Sequence, residues 1–129
     1  MRITTNYESP LVLKNIMITD GIFKRTEDSL ENVELRVNVA HNIEQLSEVE
    51  YKITLELSVA DPEGKLSVFV KGMAVFETEQ ENKMLIERNT IAIMFPYFRS
   101  YVSTLTQPGM TPIVLPAMNI VAMLAQKNE

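Results

Sequence analysis

The chain has a single histidine, His41, and no cysteine, so few of its side chains could run covalent or acid-base chemistry near neutral pH. Without cysteine there is no thiolate nucleophile, no disulfide framework and no Cys-ligated zinc. His41 follows an alternating strand-like segment and stands next to Asn42, with no Ser or Cys pattern that it could serve as base. It reads as a surface residue in a polar turn. Glu77, Glu79 and Glu81 alternate along an extended stretch and could present oxygens to a hard cation. Oxygen-ligand loops, however, add Asp, Asn and a turn-forming Gly at fixed offsets. A solvated acidic edge, which also discourages strand-to-strand aggregation, is the simpler reading. Gly21, Gly64, Gly72 and Gly109 are too scattered to cradle a phosphate. The expectation is a protein that is not an enzyme, with no catalytic residue, no metal and no cofactor.

Composition narrows the class further. A chain of 129 residues with 46% hydrophobic content can bury one core, so residues 1–129 are expected to form one domain. A net charge of -5 argues against nucleic acid, whose binding needs clustered Lys and Arg to displace counterions. The first residues, Met1 to Glu8, lack an apolar core of signal-peptide length, and no apolar run approaches a membrane span. The expected setting is cytoplasmic, without membrane insertion.

The elements that must position any site read as strands first and helices last. Residues 1–10 look irregular or edge-like, Leu11 to Ile18 reads as a short strand, and Asp20-Gly21 is expected to end it. Lys24 to Asn32 is polar and loop-like. Val33, Leu35, Val37 and Val39 alternate with polar neighbours, as a half-buried strand requires. Tyr51, Ile53, Leu55, Leu57 and Val59 repeat that period and run into Asp61-Pro62-Glu63-Gly64, a turn in which Pro pre-sets one position and Gly accepts positive φ. The return strand, Lys65 to about Thr78, carries Leu66, Val68 and Val70 on one side, and Gly72 reads as a bulge. The period then changes. Ile91, Met94, Phe95, Phe98, Tyr101, Val102 and Leu105 form one helical stripe suited to the buried face of a sheet. A start near Ile91 to Ile93 puts Pro96 in the first turn, where its missing amide costs little; an earlier start demands a kink. Pro108-Gly109 stops this helix, and Ala117 to Gln126 is expected to form a second. The predicted class is α+β.

What chemistry does not absorb is an excess of soft apolar side chains. Six of the eight methionines lie in the second half, among Phe95, Tyr97, Phe98 and Tyr101, and the loop Gln107 to Pro116 carries no charge. Methionine is flexible and polarizable, and suits surfaces that accept many apolar shapes as well as irregular core gaps. The helical stripe is wider than one sheet covers, which points to burial between subunits through Met94, Tyr97 and Tyr101.

Phe95-Pro96-Tyr97-Phe98-Arg99, then Ser103-Thr104-Leu105, then Gly109 and Pro112, then Leu115-Pro116 and Asn119 resemble, in order and spacing, the end of the SecB export-chaperone family. The Tyr51–Ala60 strand, its turn and the long return to Val75-Phe76 follow that family's central hairpin, so the likeness spans about residues 22–124. The resemblance implies a four-stranded antiparallel sheet with two C-terminal helices on one face, assembled as a dimer of dimers, a homotetramer. It also implies an ATP-independent holdase that keeps unfolded or precursor polypeptides in apolar grooves, in many members for protein export. By position, Met110, Ile113, Val114, Leu115 and Met118 would line the groove, with Phe69 or Phe76 added from the return strand.

Two departures stand out. The family's tryptophan before the first long strand has no counterpart, since the chain contains no Trp and reads Ser29-Leu30 there. Phe69, Lys71 and Gly72 occupy the region of the family's acidic patch, and the chain ends in Gln126-Lys127-Asn128-Glu129, both of which argue against docking to the SecA motor. Other clients, such as an antitoxin, fit a protein with these departures. The alternative is a small-molecule-binding or structural assembly domain that reuses the fold.

Overall fold

The computed structural model describes residue 6 and residues 10–125. Among the described residues the strands are β1 (Val12–Arg25), β2 (Arg36–Gln45), β3 (Glu50–Ala60) and β4 (Leu66–Glu77). The helices are α1 (Lys83–Thr106) and, after a short 3-10 turn at Gln107–Gly109, α2 (Ile120–Ala125). The sheet is antiparallel throughout, in the order β1-β4-β3-β2. β2, β3 and β4 are joined as successive hairpins, whereas β1 pairs with β4. The first two strands therefore lie on opposite edges. This is the α+β arrangement that the alternation and the later helical period lead one to expect.

The period of two in β3 and β4 sends Ile53, Leu55, Leu57, Val59, Leu66, Val68, Val70, Ala74 and Phe76 to one face, where all are buried. α1 lays Ile86, Ile91, Met94, Phe95, Phe98 and Val102 across that face, closing the core. Each fully buried large side chain contributes about 1.5–3 kcal/mol of transfer free energy. The Asp61-Pro62-Glu63-Gly64 turn forms as expected. Gly64 takes φ 73°, and the Asp61 carboxylate accepts hydrogen bonds from the Leu66 and Glu63 amides at 2.8 and 3.2 Å.

Several expectations are corrected. Asp20-Gly21 does not end β1, which continues to Arg25. The pairing slips by one residue between Ile18 and Asp20, so the extra residue, Thr19, is absorbed as a bulge. Gly21 fits because Tyr101 lies where a Cβ would stand. The shift at Thr19 and a second one between Leu13 and Asn15 both add a residue to β1, and Gly72 is a regular β4 position on the inner face. A Cβ there would come within 2.8 Å of both the Phe98 ring and the Met17 carbonyl oxygen, so Gly72 is a close-packing site. His41 is not in a turn. β2 runs on to Gln45, and the His41 side chain, 3% exposed, points inward between Val39 and Ile43.

The largest difference concerns α1, which starts at Lys83 and not near Ile91. Asn82 caps it, its side-chain oxygen accepting from the Met84 and Leu85 amides at 3.1 and 3.3 Å. Pro96 therefore lies mid-helix. Both Pro96 and Ala92, whose carbonyl loses its usual partner, are exposed, so water can take the place of the missing amide. α2 is shorter than Ala117–Gln126. It begins after Asn119, whose side chain accepts from the Ala122 amide at 3.1 Å. Gln126, the chain end, and all of residues 1–10 except 6 and 10 lie outside the described residues.

Candidate functional site

Beyond Thr106 the chain turns back and runs antiparallel along α1, tied down by side chains. Arg25 of β1 donates to the Gly109 carbonyl at 2.7 Å, and also to the carbonyls of Thr26 and Asp28, fixing the 3-10 turn. Ser103 Oγ donates to the Ile113 carbonyl at 2.7 Å, and the Ile113 amide donates to Thr106 Oγ1 at 3.0 Å. Arg99 Nε donates to the Leu115 carbonyl at 3.0 Å. Ser103, Thr106 and Arg99 are spaced three and four apart, so one helix stripe carries all three anchors. The anchored segment is extended and alternates its side chains. Ile113 and Leu115 turn into the core, while Val114 between them is 74% exposed.

Toward its start the same stripe continues through Pro96, Ala92, Arg88 and Met84, four residues apart and all exposed. Two openings flank it. One, of about 270 Å³, is bounded by Pro96, Arg99, Ser103, Val114 and Leu115. The other, of about 450 Å³, lies between the first turns of α1 and α2, with Met84, Val121, Leu124 and Ala125 as its apolar wall and Lys83, Glu87 and Arg88 at its margin. Met84 and Val121 are 74% and 60% exposed. From Met84 to Pro96 is about 18 Å along the helix axis at 1.5 Å per residue. This side of α1 is the candidate track: two openings with no shared lining residue, beside the returning chain and α2, connected along the helix by the exposed Ala92 and Arg88.

Of the residues that the sequence singled out for binding, Val114 projects onto this track. Met110 and Met118 are partly buried against the core, and Ile113 and Leu115 are its buried neighbours. Phe69 is elsewhere. It is on the outer face of the sheet opposite Ile22, separated from the Met17–Met73 cross-strand pair by Lys71. Phe76 is fully enclosed on the inner face and offers a ligand no surface. The same holds for Met94, expected at a subunit contact: it faces the sheet because α1 presents that side to the core. Tyr97 is 49% exposed, and with Tyr101 it borders a third opening, of about 310 Å³, against Ile16, Met17 and Ile18 of β1. Met84 and Arg88 escape the sequence reading because it starts α1 eight residues late, whereas Val121 and Leu124 fall in the expected second helix without being singled out for binding. The capping sequence Asn82-Lys83-Met84-Leu85 is the signal that would have recovered the first two.

Electrostatics at the track are simple. Glu87 turns inward, its carboxylate 3.9 Å from His41 Nδ1. Lys83 and Arg88 form no ion pair among the described residues, whereas Lys14, Lys65 and Lys71 are each held by a glutamate. Glu63 raises the pKa of Lys65 above the usual lysine range, by its hydrogen bond first and its charge second, at a turn remote from the track. Among the described residues no three His, Cys, Asp or Glu side chains are grouped to hold a metal ion, and no helix is long and apolar enough to cross a membrane.

Comparison with known proteins agrees with this architecture. An uncharacterized protein of Methanocaldococcus jannaschii is 28% identical over 132 residues, covering 94% of this chain and 83% of that protein. The SecB-like chaperone Rv1957 of Mycobacterium tuberculosis, solved in complex with a ChAD peptide from the HigA1 antitoxin, shares the fold. Its TM-score is 0.67 at 12% identity, over 84% of this chain and 90% of that one. A Streptococcus agalactiae protein of unknown function is similar at a TM-score of 0.51 and 7% identity, over 83% of this chain and 97% of that one. The family model of preprotein translocase subunit SecB matches residues 2–129. A four-stranded antiparallel sheet followed by a long helix and a short C-terminal one is the fold shared with the mycobacterial chaperone, and by the family match over residues 2–129 the chain belongs to the SecB family.

Proposed function

We propose that this protein is an ATP-independent holdase, a single SecB-like unit that binds unfolded polypeptide segments along the track beside α1. The observation that carries the reading is the set of uncovered apolar side chains, Met84, Val114 and Val121, on and beside the side of α1 to which hydrogen bonds fasten the returning chain. An extended client can lay alternate apolar side chains against such a surface with little dependence on its sequence. In this proposal Met110 and Met118, partly buried on the returning segment, add to the rim of the track, and Ile113 and Leu115 support it from beneath. Phe69, on the far face, serves as a separate apolar contact. Binding the unfolded state is all that a holdase needs, so no chemical step is invoked.

The working form in this proposal is a dimer of dimers. Tyr97 and Tyr101, with Met17 opposite, supply one subunit contact, and the tracks of the assembled subunits stay open. The setting is cytoplasmic. The family's description as a translocase subunit supports clients bound for export, and the mycobacterial relative's antitoxin peptide supports a dedicated partner. On the outer face Phe69 and Met73 flank Lys71, which is paired with Glu56, and this mixed surface in place of an acidic patch favours clients over docking to the SecA motor.

The test is suppression of aggregation of a reduced, unfolded model protein. A several-fold excess of the holdase is expected to suppress light scattering without ATP, and Val114→Asp to weaken the effect while leaving the melting temperature unchanged. No suppression by the wild-type protein would overturn the proposal.

A further inference from the structure

The opening between the first turns of α1 and α2 combines an apolar wall with a basic margin. Met84, Val121 and Leu124 form the wall, and Lys83 and Arg88 stand at its edge without an ion-pair partner among the described residues. Glu87, the acidic group there, is only 14% exposed and faces His41 across 3.9 Å, so its charge is directed into the protein. At about 450 Å³ the space falls within the ~300–1,000 Å³ typical of sites that take a compact ligand, enough for one or two large apolar side chains. A segment seated there brings its flanking residues to Lys83 and Arg88.

We propose that this cleft receives an aromatic or aliphatic side chain of a non-native polypeptide in which acidic residues flank the apolar one. The inference rests on the holdase reading and adds client chemistry to it. The occupant follows from charge complementarity: two cations with no ion-pair partner among the described residues, at the rim of an apolar pocket, favour carboxylates beside the buried group and disfavour lysines. The net charge of -5 predicts the opposite, a general preference for basic clients, so the two effects are separable.

The experiment measures binding of three short fluorescein-labelled peptides that share a Phe-Leu-Phe centre and carry Asp, Gln or Lys flanks. The Asp-flanked peptide is expected to bind roughly five- to tenfold more tightly than the Lys-flanked one at ~0.05 M salt, with the ratio falling toward one at ~1 M as the charges are screened. The exposed pair Lys83→Glu/Arg88→Glu is expected to reverse the order, and Met84→Ser to weaken all three peptides. Equal or tighter binding of the Lys-flanked peptide overturns the inference, as does an order unchanged by the double substitution. If that substitution alters the mass of the particle in solution and leaves peptide affinities alone, the cleft is a contact between copies of the chain, and the inference again falls. Binding of the Gln-flanked peptide reports the holdase reading independently. If it binds and the flanks make no difference, only the charge preference is lost, whereas no binding by any peptide removes both.

Discussion

Thr106 links the helix to the loop through one hydroxyl. Fully buried, its Oγ1 donates to the Val102 carbonyl at 2.8 Å and accepts the Ile113 amide at 3.0 Å. Thr106→Val keeps the shape and strands that amide without a partner, which costs about 1–3 kcal/mol. Urea unfolding should show the loss, and hydrogen exchange at Ile113 should quicken by more than global destabilisation explains. Gly72 makes the complementary case for sterics. Any Cβ there meets the Phe98 ring and the Met17 backbone, and the backbone contact cannot swing aside. Gly72→Ala is expected to cost about 1–3 kcal/mol, visible as a lower urea midpoint with unchanged slope. A neutral result would mean that Phe98 and β1 have more freedom than their close approach implies. His41 shows why a lone residue resists assignment from sequence. Its inward direction follows from the parity of β2 with Val39 and Ile43, which became visible only once the strand was seen to run through it.

α1 is where local rules and global packing part company. Its first eight residues, Lys83 to Thr90, carry fewer apolar side chains than its centre, so the strong stripe from Ile91 onward dominates a reading by period. Asn82 nevertheless supplies a good cap, and Asn82→Ala is expected to remove about 1 kcal/mol by leaving the Met84 and Leu85 amides without their acceptor. Far-UV circular dichroism during thermal melting would record the earlier fraying. Pro96 offers a test of opposite sign. Its ring is exposed and sits in the interior of a 24-residue helix, so Pro96→Ala can restore a main-chain hydrogen bond to Ala92. We expect a stabilisation of about 1–3 kcal/mol. A variant that gains stability yet loses client suppression would mean that the proline shapes the track. A variant that loses stability would mean that the surrounding structure is built to the proline's geometry.

For the whole molecule, the question is which apolar surface remains open after assembly. Met17 and Tyr97, about half exposed on β1 and α1, border one opening, while Met84 lies on another stripe of the same helix, with Val114 of the returning segment and Val121 of α2 on that side. In the proposed dimer of dimers the first surface is consumed and the second is left for clients. Tyr97→Glu is therefore expected to give a smaller particle by light scattering after gel filtration, with the fold intact by circular dichroism. Binding of a labelled aromatic peptide should persist in that variant. An unchanged mass would remove Tyr97 from the subunit contact, and simultaneous loss of peptide binding would mean that the track needs the partner subunit.

The alternation in β3 and β4, the Asp-Pro-Glu-Gly turn and the late helical period were legible in the chain because each is a local pattern whose solvation energy depends on near neighbours alone. They sufficed for the α+β class and for most of the core. The path of β1 past Asp20-Gly21 was not legible, because a bulge is settled by the strand it pairs with. Nor was the separation of Phe69 and Phe76 from the loop, since one faces outward from the sheet and the other is sealed beneath α1. Which methionines and aromatics stay in reach of solvent depends on where distant segments pack. Burial is a property of area covered by other parts of the chain, and a residue's own type does not carry that information.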